Sequence, residues 1–157
     1  MSYPIETISL QPQPMVASEA TTTPAELAQA IGQSLGEVWK YLVEQRGIQP
    51  AGPPFVIYHH FSPEQITIEA GLPLSQPITT TDSQRVKVSF LPAGDEVAHT
   101  WHIGPYDTLS QTYDTIRAWM QEHGKEMAGP SFEFYWTDPA DNPDPSTWRT
   151  EIFQPVK

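Results

Sequence analysis

Apolar residues recur at steps of three and four in two stretches of the chain. Between about Pro24 and Gln45 the stripe is Leu27, Ile31, Leu35, Val38 and Leu42; between about Tyr106 and His123 it is Leu109, Tyr113, Ile116 and Met120. This spacing predicts two amphipathic, surface-lying helices. Thr23 stands where an N-cap belongs and Pro24 at the first helical position, while Gly47 and Gly124 follow the last turns. The segments around each helix alternate apolar and polar residues, as half-buried strands do. The chain therefore reads strand, strand, helix, strand, strand, and then repeats that order.

The repetition is visible in the residues themselves. Arg46-Gly47 through Ala51-Gly52-Pro53-Pro54-Phe55-Val56-Ile57-Tyr58 matches His123-Gly124 through Ala128-Gly129-Pro130-Ser131-Phe132-Glu133-Phe134-Tyr135 at a constant offset of 77 residues. Ile68-Glu69-Ala70-Gly71-Leu72-Pro73-Leu74 then matches Thr150-Glu151-Ile152-Phe153-Gln154-Pro155-Val156 at an offset of 82. The second copy thus carries a loop five residues longer, around Asp138 to Pro145, where Pro and Asp cluster as turns require. A length of 157 residues suits one domain, here residues 1–157 made of tandem repeats at about 3–75 and 85–157.

Strand alternation sorts the side chains by face. Phe55 and Ile57 share one face, as do Phe132 and Phe134, and their apolar character suits packing beneath the helices; Tyr58 and Tyr135 then point the other way. In the closing strands Ile66, Ile68, Leu72 and Ile152 are expected on the helix side. Glu69 and Gly71 in one copy, and Glu151 and Phe153 in the other, fall opposite. The expectation is one non-core surface carrying Glu69, Glu151, Tyr58, Tyr135 and Phe153, with Trp101 in reach. Most of the five tryptophans are expected in the core, with Trp39 and Trp119, beside the helical stripes, overhanging the ligand site.

Charge and composition narrow the partners. Nineteen acidic against eight basic residues leave a net charge of -11, and the scattered Lys and Arg offer no phosphate-neutralising patch, so direct nucleic-acid binding is not expected. The absence of cysteine excludes disulfides and sulfur-ligated zinc. No signal-like start and no apolar run long enough to span a bilayer is present, which points to a cytoplasmic protein without membrane contact. Five histidines include the pair His59-His60, but adjacent strand residues face opposite ways, as do His99 and His102, so no metal is expected. His102 is read as structural, orienting the turn into the second helix.

The string His102-Ile103-Gly104-Pro105-Tyr106 before a helix, then Ala128-Gly129-Pro130-Ser131-Phe132, then Glu151-Ile152-Phe153-Gln154-Pro155-Val156 resembles the GyrI-like family over nearly the whole chain. That family includes gyrase-inhibitory proteins, stand-alone small-molecule binders and effector-binding domains of multidrug-responsive regulators. The resemblance implies an α+β fold in which the duplicated β-β-α-β-β module forms an eight-stranded antiparallel sheet with two long helices, and a cleft between the repeats. It implies a bulky, apolar, often cationic ligand held by aromatic walls and a closing-strand carboxylate, which Glu151 matches, with Phe153 at a wall position. No cofactor is implied, and a DNA-binding helix-turn-helix is missing.

Three readings follow. In the first, Glu151, costly to bury alone, is offset by a bound amphipathic cation that also contacts Tyr58, Tyr135 or Trp101, with Glu69 secondary and Trp39 and Trp119 at the edge; the protein senses or sequesters the ligand. In the second, which relatives suggest, the chain hydrolyses strained cyclopropane-type electrophiles, with Glu151 as general acid or base and Tyr135 positioning the reacting group. In the third, it acts on a protein partner as gyrase inhibitors do. Heme ligation, as in the similarly folded SOUL proteins, would rest on a lone histidine such as His60.

Overall fold

The computed structural model describes residues 3–79 and 85–157. Eight strands and two long helices follow in the order expected: β1 (Glu6–Leu10), β2 (Pro14–Thr22), α1 (Leu27–Trp39), β3 (Phe55–Phe61), β4 (Ile66–Pro73), β5 (Val86–Phe90), β6 (Gly94–Ile103), α2 (Leu109–Glu122), β7 (Ser131–Tyr135) and β8 (Arg149–Pro155). The fold class is α+β with antiparallel strands, as the sequence implies.

Two compact units emerge, and they do not coincide with the sequence repeats. One is Pro12–Pro92; the other joins Met1–Gln11 to Ala93–Lys157. The reason is a reciprocal exchange of first strands: β1 pairs with β6 of the second copy, and β5 pairs with β2 of the first. Strands run β3-β4-β2-β5 in the first unit and β1-β6-β8-β7 in the second.

Both helices are one turn longer at the front than their α segments, through 3₁₀ turns at Pro24–Glu26 and Tyr106–Thr108, and the first runs on as a π-helical segment, Lys40–Gln45. Gly47 and Gly124 end them at φ +67° and +63°, a left-handed conformation in which a Cβ is strained. Thr23 occupies the N-cap position, but its side chain makes no capping bond; its carbonyl accepts from Glu26 N–H instead.

Each helix buries its stripe on one face of its own strands. Val38, Tyr41 and Leu42 pack with Val16, Leu72, Leu74 and Val86 in the first unit. Ile116 and Met120 pack with Ala98, Ile152 and Val156 in the second, with Tyr113 and Trp119 at the border. Ile66, Ile68, Leu72 and Ile152 lie on the helix side as expected, and Glu69, Gly71, Glu151 and Phe153 lie opposite.

The sorting of β3 and β7 is reversed. Tyr58 pairs with Ile68 and Val56 with Ala70, while Phe55 and Ile57 pair with Gly71 and Glu69. Tyr135 pairs with Thr150, Phe132 with Phe153 and Phe134 with Glu151. Both tyrosines are therefore on the helix face and the phenylalanines opposite. Strand β3 gives no clue to this, because Phe55, Val56 and Ile57 are all essentially fully buried, so neither of its faces is marked by polarity. The tryptophans also depart from expectation. None is among the buried residues, and Trp39 and Trp136 are exposed.

Candidate functional site

The residues singled out from the sequence separate into three places. In the second unit, on the face away from α2, Glu151 lies with Phe153 and Trp101. Its carboxylate accepts from His99 Nε2 at 2.8 Å and from Trp136 Nε1 at 3.0 Å, so both oxygens are already engaged. His99 sits 4.9 Å from the Phe153 ring, and the Arg149 guanidinium lies 5.6 Å from the centre of Trp101. In the first unit, also away from its helix, Glu69 is hydrogen-bonded to His59 and stands opposite Glu19. Tyr58 is on the other face there, its ring edge-on to Phe61, and Trp39 ends α1 in solvent. Trp119 stacks on His123 at 4.6 Å and borders the α2 core.

The third place was not anticipated. Glu133, in the middle of β7, is 1% exposed and faces α2. Burying a carboxylate is costly unless its oxygens receive hydrogen bonds. Here the Tyr113 hydroxyl, from α2, donates to Oε2 at 2.6 Å, and the Tyr135 hydroxyl, two residues along the same strand face, donates to Oε1 at 2.6 Å. A further ring, Tyr106, sits edge-on to Tyr135 at 5.6 Å and against Trp148 at 5.0 Å.

Local sequence explains each position. The longer loop between β7 and β8 closes with a 3₁₀ turn, Pro145–Thr147, and the Trp148 indole N–H donates to the Asn142 carbonyl at 2.7 Å, which fixes the ring beside Tyr106. His102 braces the start of α2 through Thr112 Oγ1 at 2.7 Å and the Pro105 carbonyl at 3.0 Å, which sets where Tyr106 and Tyr113 stand. The longer loop thus fixes Trp148, whose counterpart at the offset of 82 in the first copy is Ile66.

The Tyr106 hydroxyl is pushed above the ordinary tyrosine value, chiefly by burial and then by the negative charges of Glu133 and Asp138. Since ionisation is harder in the folded state, stability holds below the unfolded value of about 10 and falls as pH rises from there through the folded value. Melting temperatures followed from about pH 9 to about pH 11 should drop less steeply in Tyr106→Phe than in the parent.

The sequence contained one signal for Glu133. In the offset of 77 its counterpart is Val56, so one copy places a charge where the other has an apolar core residue. Tyr113 was legible only as part of the helical stripe.

The duplicated β-β-α-β-β fold is that of a small-molecule binding domain. The chain belongs to the GyrI-like small molecule binding domain family, whose model matches residues 1–157. Among solved structures it is similar to the EcmrR C-terminal domain, at 21% identity over 100% of this chain and 99% of that one, with a TM-score of 0.80. In the EcmrR-DNA complex the match is 20% identical with a TM-score of 0.81, covering 99% of this chain but 57% of that longer one. SAV2435 bound to tetraphenylphosphonium matches at 15% identity over 100% of this chain and 94% of that one, with a TM-score of 0.60; a hydrolase from Listeria innocua matches at 15% identity over 98% and 91%, with a TM-score of 0.67. A comparison with curated proteins finds no match. No helix among the described residues is long and apolar enough to cross a membrane.

Proposed function

We propose that the protein binds a bulky, apolar cation, for sensing or sequestration, with Glu133 as the counter-charge and Tyr106, Tyr113, Tyr135 and Trp148 as the aromatic surround. The observation that carries this is the burial of Glu133 between two tyrosine hydroxyls. A carboxylate so placed attracts positive charge where water does not compete, and each ring face adds about 0.5–2 kcal/mol of cation–π attraction. The tetraphenylphosphonium named with one structural neighbour is a cation of this description. Glu151 is less suited to the role, because it is less deeply buried than Glu133 and one of its partners, His99, is itself a basic group, whereas Glu133 has neutral hydroxyls.

Tryptophan fluorescence titrated with tetraphenylphosphonium should show saturable quenching. Glu151→Gln should leave the affinity within about threefold, as expected for a group outside the site. Absence of saturation would overturn the binding of this cation, and a loss on Glu151→Gln of the size expected for a buried counter-charge would return the site to the Glu151 face.

A second reading has support in the same hydrogen bonds. A carboxylate in contact with two tyrosine hydroxyls is a general acid–base pair: Glu133 takes a proton from water as the water oxygen bonds to a strained-ring carbon and the ring C–C bond breaks, Tyr135 gives its proton to the departing carbon, and Glu133 returns a proton to Tyr135. Product formed from a cyclopropane-bearing electrophile would favour hydrolysis over binding alone.

A further inference from the structure

The hydroxyl of Thr150 stands out on the same strand face as Glu133. Thr150 is wholly buried, and its Oγ1 has no hydrogen-bond partner among the described residues. It pairs across β7 with Tyr135 and across β6 with His102, and the next residue on its face, Ile152, pairs with Glu133. A hydroxyl sealed from water without a partner costs stability. The fold does not require it. In the first copy the equivalent cross-strand pair is Tyr58–Ile68, and the equivalent of Glu133 is Val56, paired with Ala70. The same framework thus closes with two apolar residues in one unit and, in the other, with a carboxylate and an unpaired hydroxyl. Ser18 Oγ is also without a partner, but its strand neighbours are Ala70 and Val86, with no charge beside it.

We propose that Thr150 Oγ1 is a specificity-determining acceptor that takes a hydrogen bond from an N–H of the bound cation. The site then selects protonated amines and amidinium groups over cations that lack N–H, such as quaternary ammonium and tetraaryl phosphonium ions. The inference rests on the reading of Glu133 as counter-charge. The carboxylate draws the positive end of the ligand to this spot, and a protonated nitrogen carries several donors and no acceptor, so the threonine oxygen serves as a second acceptor beside the carboxylate.

Thr150→Val keeps the shape and removes the hydroxyl. Two probes that differ only at nitrogen, naphthalen-1-ylmethylammonium and its N,N,N-trimethyl counterpart, are titrated against the parent and the variant. The affinity for the primary ammonium should fall about tenfold in the variant, and that for the trimethyl probe should stay within about twofold. The melting temperature should hold or rise, since the orphan hydroxyl is gone. Equal losses for both probes, or no change for either, would overturn the role of Thr150 while leaving Glu133 in place. If neither probe binds the parent protein, the counter-charge reading fails and this inference with it.

Discussion

Glu133→Gln should weaken the binding of lipophilic cations by about 30-fold or more while leaving a neutral aromatic ligand of the same shape nearly unaffected. The substitution keeps an oxygen for one tyrosine hydroxyl and removes the charge. The loss should therefore appear as a difference between charged and neutral ligands and not as a general collapse of the site. Isothermal titration of both ligand types, beside a thermal melt of the variant, makes the comparison. The tyrosine pair is the reason to expect a large effect: Tyr113 and Tyr135 hold the carboxylate in place before any ligand arrives, so little ordering remains to be done on binding. Equal affinity for the two ligand types in the parent protein would contradict the role given to Glu133.

Gly71→Ala should destabilise the fold by about 3 kcal/mol, at the upper end for an overpacked site. A Cβ built on Gly71 would come 2.0 Å from the Val16 carbonyl oxygen and 2.8 Å from the Ala17 side chain, and the first of these is backbone of the neighbouring strand. Strand β2 cannot yield without disturbing its pairing to β5 on its other side. Urea denaturation should show a lower midpoint at unchanged slope. Cation affinity in the folded variant should stay near that of the parent, because Gly71 belongs to the unit that lacks Glu133. The second copy has Phe153 at the equivalent position, where its ring stacks on Phe132 at 4.9 Å. The two copies keep one backbone plan and fill it by different means.

The helices were legible because a 3.6-residue period, a proline at the start and a glycine after the end all say the same thing. The repeat and the family were legible in three strings that fall in order. The closing strands were sorted correctly, since Glu69 and Glu151 each interrupt an apolar series and fix its phase. The strands β3 and β7 were not. Phe55-Val56-Ile57 has no polar residue to mark a face, and in Phe132-Glu133-Phe134 the marker misleads: the charge belongs to the helix side, where two tyrosines satisfy it, and the aromatic pair lies on the other face. Alternation gives relative phase within a strand. The absolute phase came from an assumption that only one face is apolar, and here both are. Thr150 was beyond reach for a related reason, as an unmatched hydroxyl is a property of three-dimensional surroundings that no residue pattern encodes.

The reciprocal exchange of first strands has a consequence for vectorial synthesis. The segment Pro12–Pro92 contains all four strands of its unit in one continuous stretch and emerges from the ribosome complete. The other unit draws its edge from Met1–Gln11, made before Pro12–Pro92, and the rest from Ala93 onward. That edge strand waits unpaired until β6 is made, and the half bearing the buried carboxylate closes after the other, with the higher sequence separation that slows assembly.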